Sequence, residues 1–288
     1  MTFGVLTLPN APWDRLVGRW RELDEQGWDA VYVSDHLANP FVRGQPWLDA
    51  WSCLGAMALV VERARIGPLL TPITFRSPAA VVRAALTGDA ASGGRLDLAL
   101  GGGGSAHDHE LAEVEPWGRE ERRERLERFA RRVRELLDDP EVRPEPVHGA
   151  VPLVLGGHDG PLLELAAELA DGWASYGGVG LSAGEGREVA AGLRVALDAA
   201  CRERGRDPRS LRRTILLGHR FVAEDAFTSE EAFAEVATAW HGLGFDELVV
   251  YESPSLMTPR GVEPPPDMHA RLAGSVLPDL RRTLSSDA

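Results

Sequence analysis

The sequence predicts a (β/α)8 TIM barrel, an α/β fold forming a single domain over residues 1–288. Short apolar runs of four to six residues alternate strictly with helical stretches, eight times along the chain. Alternation of this kind implies a parallel sheet. Eight pairs imply closure, because an open eight-stranded sheet leaves edges to protect. The length of 288 residues suits a barrel that typically needs about 250. A doubly wound open sheet is the alternative, since a sequence does not say which strands are neighbours.

The elements follow in order. Phe3–Leu8 is an apolar run closed by Pro9-Asn10, a first strand. From Pro12 to Gln26, Leu16, Trp20 and Leu23 fall at helical spacing, and Gly27 ends the helix. Asp29–Ser34 is the second strand, rich in β-branched and aromatic side chains, and it delivers Asp35 and His36 at its C-terminal end. A loop to Trp47 leads to a helix over 48–61. Arg65–Leu70 is strand three, closed by Thr71-Pro72, and Ser77-Pro78 opens a helix over 79–91 with Pro in its first turn. Arg95–Leu100 is strand four, running into Gly101 to Gly104. The charged segment 118–138 carries a narrow apolar stripe of Leu126, Phe129, Val133, Leu136 and Leu137 and reads as a helix with a solvated face. Strands over 151–155, 172–176, 214–217 and 247–251 alternate with helices over 161–170, 185–204, 229–243 and 267–284. Polar connections at 38–46 and 105–116 fall on the catalytic face, and one of them is a candidate lid.

Composition removes several function classes. The net charge is -13, and no basic stripe offers a phosphate backbone a face, so no nucleic-acid partner is expected. All 31 basic residues are Arg. Without Lys there is no Schiff-base aldolase, no lysine-anchored pyridoxal phosphate and no P-loop. Cys53 and Cys201 are too few and too distant for a disulfide framework and read as inert thiols. No signal peptide and no bilayer-length apolar run is visible, so a cytoplasmic protein without a membrane partner is expected.

The candidates for chemistry sit at strand ends, where barrels place their active sites. Asp35 and His36 lead: an imidazole moves protons near neutral pH, and a neighbouring carboxylate can fix its tautomer. The alternative is a structural pair capping the barrel. The glycine runs Gly101-Gly102-Gly103-Gly104 and Gly156-Gly157 follow strands and would offer backbone N–H groups to an anion; simple turn chemistry is the competing reading. His107-Asp108-His109-Glu110 has ligand residue types at spacings that suit neither a helix face nor a strand face, and no metal site is assigned. Trp47, Trp51 and Trp173 are candidates for an apolar wall or for ordinary core. Arg76 could hold an anion or bridge to a neighbouring loop. Arg220 and Glu252 also follow strands.

Taken together, the motifs resemble the bacterial luciferase-like monooxygenase superfamily, whose members are (β/α)8 barrels. The resemblance rests on Ser34-Asp35-His36, on Leu70 to Pro78 and on Ser92-Gly93-Gly94-Arg95-Leu96 before Leu98 to Gly103. It continues in Val151 to Gly157 and in Ala170-Asp171-Gly172-Trp173. The blocks cover roughly the first two-thirds of the chain and are specific as a set. Asp-His at the end of strand two is similar to the branch that uses the deazaflavin coenzyme F420, with FMN as the alternative cofactor. The resemblance implies hydride transfer between F420 and a small-molecule substrate, with His36 handling the proton and Asp35 orienting it. It implies a non-proline cis peptide near Leu69-Leu70, with Leu69, Leu70, Thr71 and Trp173 about the coenzyme and both glycine loops about its tail. It also implies a homodimer.

The chain departs from the pattern in two places. Sugar-phosphate dehydrogenases of this branch carry a Glu after the glycine loop, where this chain has Ser105-Ala106-His107, which argues against that substrate. The long insertion of luciferase subunits has no counterpart, which argues against a long-chain aldehyde. Two further classes stay open from sequence: a flavin-binding barrel without turnover, and a metal-dependent hydrolase using Asp35, His36, His107 and His109.

Overall fold

The computed structural model describes residues 1–259 and 262–284. Strands β1 (Thr2–Thr7), β2 (Ala30–Val33), β3 (Arg65–Pro68), β4 (Thr71–Pro72), β5 (Leu98–Gly101), β6 (Leu153–Gly156) and β7 (Gly172–Ser175) belong to the main sheet. A short pair, β8 (Leu181–Ser182) and β10 (Val222–Ala223), lies outside it, and β9 (Arg212–Leu216) and β11 (Glu247–Tyr251) complete it. All pairings are parallel, in the order β3-β2-β1-β11-β9-β7-β6-β5-β4. The two ends of that order, β3 and β4, are halves of one strand interrupted at Leu69-Leu70. The lower half pairs with β2 and the upper half with β5, and a bridge from Ile66 to Leu96 closes the ring. The arrangement is the eight-stranded barrel that the alternation predicts, with one strand changing partner midway. The Leu69-Leu70 peptide is cis.

Helices α1 (Trp13–Gln26), α2 (Ala50–Val60), α3 (Pro78–Ser92), α5 (Arg119–Asp138), α6 (Gly160–Leu169), α7 (Ala183–Glu203) and α8 (Glu230–Gly242) follow strands as the sequence implies. Several of their boundaries have a side-chain reason. Asp49, Ser77, Asp159, Ser182 and Ser229 each accept a backbone N–H in the first turn, which satisfies a group the helix leaves unpaired. Besides the β8–β10 pair and the split of strand three, two helical segments differ from the sequence expectation. The connection expected as loop over 105–116 contains a short helix, α4 (Ala106–Leu111), capped by Ser105. The last helix is not continuous: α9 (Met268–Arg271) passes through a π-turn, Leu272–Val276, into α10 (Leu277–Leu284).

The N-terminal end of the barrel is closed by charge rather than by aliphatic side chains. Asp97 and Glu247 are buried there, each contacted by Arg65. Arg212 Nη2 adds a bond to Asp97 at 2.6 Å, and Thr214 Oγ1 donates to Glu247 at 2.7 Å. The Tyr32 hydroxyl reaches Asp97 at 3.1 Å and Glu247 at 3.2 Å. Burial, reinforced by the two carboxylates, pushes that phenol well above its ordinary range, so it stays a donor. Two guanidiniums therefore balance two carboxylates, and removing one strands a buried charge. Arg65→Met should cost about 3–5 kcal/mol in urea-induced unfolding; a loss under about 1 kcal/mol would mean that water, not Arg65, balances the two acids.

Candidate active site

The opposite, C-terminal ends of the strands surround a cavity of about 1030 Å³. Asp35, His36, Leu70, both glycine runs and His158 contribute to its wall. A smaller pocket of about 250 Å³ adjoins it and shares His36, Phe41, Val179 and Phe221 with it. His36 thus stands on the wall common to both spaces.

Asp35 and His36 leave β2 together, yet they do not act on each other as the sequence suggests. Asp35 is buried and accepts from Arg76 through Nε at 3.1 Å and Nη2 at 2.8 Å, and from Thr71 Oγ1 at 2.9 Å. Burial raises its carboxyl above the usual value, while the Arg76 and Thr71 bonds pull it back. Arg76 also reaches Asp49, the N-cap of α2, at 3.0 Å. The expectation that Asp35 orients His36 is therefore corrected. The carboxylate beside the imidazole is Asp108 of α4, whose Oδ2 lies 2.6 Å from His36 Nδ1 and whose Oδ1 accepts from Leu37 N at 3.0 Å. An ionised carboxylate only accepts, so Nδ1 carries the proton, and Nε2 has no hydrogen-bond partner among the described residues.

Asp108 entered the sequence reading only among the ligand types of His107 to Glu110; its place beside His36 is what that reading missed. Its segment looks polar and unpatterned, but Ser105 caps a helical turn, and that turn buries Asp108 and His109 on one side. The S-x-x-D spacing of Ser105 and Asp108 was the available signal. His109 is structural: it packs edge-on against Trp117 at 4.9 Å and bonds the Glu115 carbonyl at 3.2 Å. His107 pairs with exposed Glu110. Among the described residues no three His, Cys, Asp or Glu side chains are placed to hold a metal ion.

The glycine loops form the other side of the main cavity. Gly103 has φ +70, and a Cβ there would come within 2.0 Å of Thr74 Oγ1, so a side chain is excluded. A Cβ on Gly156 would meet Leu70 at 2.3 Å. The Arg122 side chain lies over Gly102 and Gly104, and its guanidinium has no protein partner among the described residues. Behind the second loop, His158 Nε2 accepts from Tyr176 N at 3.3 Å and lies 3.0 Å from Ser175 Oγ. Burial lowers its pKa to about 4, so it is neutral at physiological pH.

Not every expected residue reaches the cavity. Trp173 is fully buried in the core, with its indole N–H on the Gly157 carbonyl at 2.8 Å; it shapes the loop rather than the wall. Thr71 is buried behind Asp35 and accepts from Trp51 Nε1 at 3.0 Å. Leu69 is likewise core, and Leu70 alone of the pair lines the space. Trp47 stands edge-on to His36 at 6.1 Å. Glu252 pairs with Arg19 at 3.3 Å.

A family model described as luciferase-like monooxygenase matches residues 1–271, and the chain belongs to that family. Over 184 residues it is 26% identical to the 5,10-methylenetetrahydromethanopterin reductase of Archaeoglobus fulgidus, spanning 60% of this chain and 52% of the relative. Over 121 residues it is 36% identical to the F420-dependent glucose-6-phosphate dehydrogenase of Amycolatopsis mediterranei, 39% of this chain and 34% of that one. The matches thus span about half or less of these relatives. A solved F420-dependent secondary alcohol dehydrogenase, in complex with an F420-acetone adduct, superimposes with a TM-score of 0.77 at 14% identity. The match covers 97% of this chain and 99% of that one, a likeness of fold. Among the described residues no helix is long and apolar enough to cross a membrane.

The Asp35–Arg76 pair makes a pH-dependent prediction. In Arg76→Gln the buried carboxylate loses its cation, so burial raises its folded-state pKa further above the unfolded value. A carboxyl raised in this way loses stability as pH rises through the folded value. The deficit of Arg76→Gln against the parent should be larger at about pH 8 than at about pH 5 in urea unfolding. An equal deficit at both would place the effect in packing instead.

Proposed function

We propose that this chain is an oxidoreductase that moves a hydride between coenzyme F420 and a small organic substrate at the C-terminal face of the barrel. The observation that carries the reading is His36. Its tautomer is set by Asp108, and it stands between a cavity large enough for a cofactor and a pocket sized for a small substrate. The residues present fit a cofactor with an anionic tail. Gly101 to Gly104 and Gly156-Gly157 present backbone to the cavity, a side chain being excluded at Gly103, Gly156 and Gly157, and Arg122 brings a cation without a partner among the described residues over the first loop. The family and the F420-dependent relative support the same cofactor class. FMN is the runner-up.

Coenzyme F420, when bound, supplies or accepts the hydride. This chain's share is the proton. With Nδ1–H committed to Asp108, His36 Nε2 takes a proton from an alcohol being oxidised or, as imidazolium, gives one to the reduced product. Asp108 stabilises the imidazolium in either direction. Asp35 holds the strand end through Arg76 and Thr71 and is a positioning residue rather than a proton carrier.

Titration with F420 should quench the coenzyme's fluorescence at micromolar concentrations, with FMN binding weaker. His36→Ala should bind F420 as the parent does. It should lose about 10²–10⁴ of coenzyme turnover across a panel of secondary alcohols, aldehydes and enones, and Asp108→Asn part of that. Tight FMN binding with no F420 quenching would overturn the cofactor assignment, and full turnover in His36→Ala would overturn the role of the imidazole.

A further inference from the structure

The smaller pocket carries information on the substrate that the main cavity does not. Its volume of about 250 Å³ falls below the about 300–1,000 Å³ of sites for drug-sized ligands, so the group it takes is small. Its walls include Phe41, Phe221, Tyr251 and Leu256. The rings meet one another: Phe41 stands edge-on to Tyr251 at 6.4 Å, and Phe221 lies 6.4 Å from Tyr251 and 4.9 Å from Tyr176. Burial pushes the Tyr251 phenol up, with Arg220 pulling the other way, so Tyr251 is neutral at physiological pH.

Among the described residues Arg220 is the one permanent cation in this lining, and none of the described lining residues is a carboxylate. Arg220 is exposed at the rim of the pocket; its guanidinium lies over the Phe41 ring at 5.5 Å and has no ion pair or hydrogen bond among the described residues. This contrasts with Asp35, which is matched by Arg76, and with Asp108, which is matched by His36; among the described residues of the mouth Arg122 is unpaired as well, but it lies over the glycine loop of the main cavity. The backbone that presents Arg220 is itself fixed. Phe221 N closes a turn on the Gly218 carbonyl at 2.8 Å, His219 N bonds Leu256 O at 2.8 Å, and Gly180 N bonds Arg220 O at 3.2 Å. A guanidinium stacked on an aromatic face keeps its N–H edge free for a planar anion. In a chain of net charge -13, an unpaired cation at the rim of a pocket whose described lining holds no acid is suited to an anion.

We infer that the substrate is a small organic acid, its carboxylate bound by Arg220 and its apolar body held among Phe41, Phe221 and Tyr251, with the reacting carbon toward His36. The inference rests on the hydride-transfer reading for the last of these points; the recognition of the carboxylate stands on the pocket alone. The competing account is that Arg220 merely lays its stem on Phe41 and keeps its head in water.

The test uses 3-phenylpropanoate and its neutral amide, 3-phenylpropanamide, as probes, with binding read by calorimetry on the full chain with and without F420. The acid should bind at least about tenfold more tightly than the amide. Arg220→Gln should abolish that preference, and Arg220→Lys should keep part of it. F420 quenching should be the same in parent and Arg220→Gln, because the side chain stands outside the cofactor cavity. Equal affinity for acid and amide, or an unchanged preference in Arg220→Gln, overturns the inference. Failure of F420 to quench while the acid preference persists would defeat the cofactor reading and leave the carboxylate site standing.

Discussion

The site depends on where the buried charge of Asp35 goes. A carboxylate leaving a strand into the barrel rim must find a cation or lose its charge. Arg76 meets it with two bonds, and the same guanidinium holds Asp49 at the start of α2. Thr71, just past the point where strand three changes partner, adds a third bond and is itself held by Trp51. One buried acid thus ties together the end of β2, the upper half of strand three and the helix between them. His36, the next residue, is left free of Asp35 and available to a carboxylate arriving from another loop.

That second carboxylate links the strand end to the helical turn after the glycine run. Asp108 holds both the imidazole and the Leu37 amide, so α4 is fastened to the end of β2 by two bonds. The loop between β5 and α5 is therefore part of the site and not only a cover for it. The two ends of the barrel divide the work. At the N-terminal end Arg65, Arg212, Asp97 and Glu247 cancel one another inside the sheet. At the C-terminal end two cations have no partner among the described residues, Arg122 above the glycine loop and Arg220 at the small pocket. A closed, self-neutralised floor and an open, cation-bearing mouth fit a protein that binds anionic molecules on one face.

Much of the fold was legible because it is local. Eight alternations, the proline and glycine boundaries and the Asp-His at a strand end are all features of neighbouring residues. The resemblance anticipated the cis bond at Leu69-Leu70, and the glycine runs it pointed to do line the cavity at the mouth. The partners of the charged groups were not legible, because they are set by contacts across the barrel mouth. Asp35 and His36 are adjacent in sequence, which suggests a dyad, but successive side chains at a strand end diverge; Arg76 lies 41 residues from Asp35 and Asp108 lies 72 from His36. Trp173 failed as a cofactor wall for a related reason: its sequence context fixes a strand but not which face of it meets the core.

The central claim is that Asp108 fixes His36 with Nδ1 protonated and Nε2 open toward a deazaflavin site. Nitrogen-15 NMR of histidine-labelled protein in mildly alkaline solution tests it most directly, with the His36 signals assigned against His36→Gln. The account predicts the Nδ1–H tautomer for His36, its loss in Asp108→Asn, and a shift of the Nε2 resonance when F420 is added. An Nε2–H tautomer in the parent, or an Nε2 resonance indifferent to F420, would contradict it.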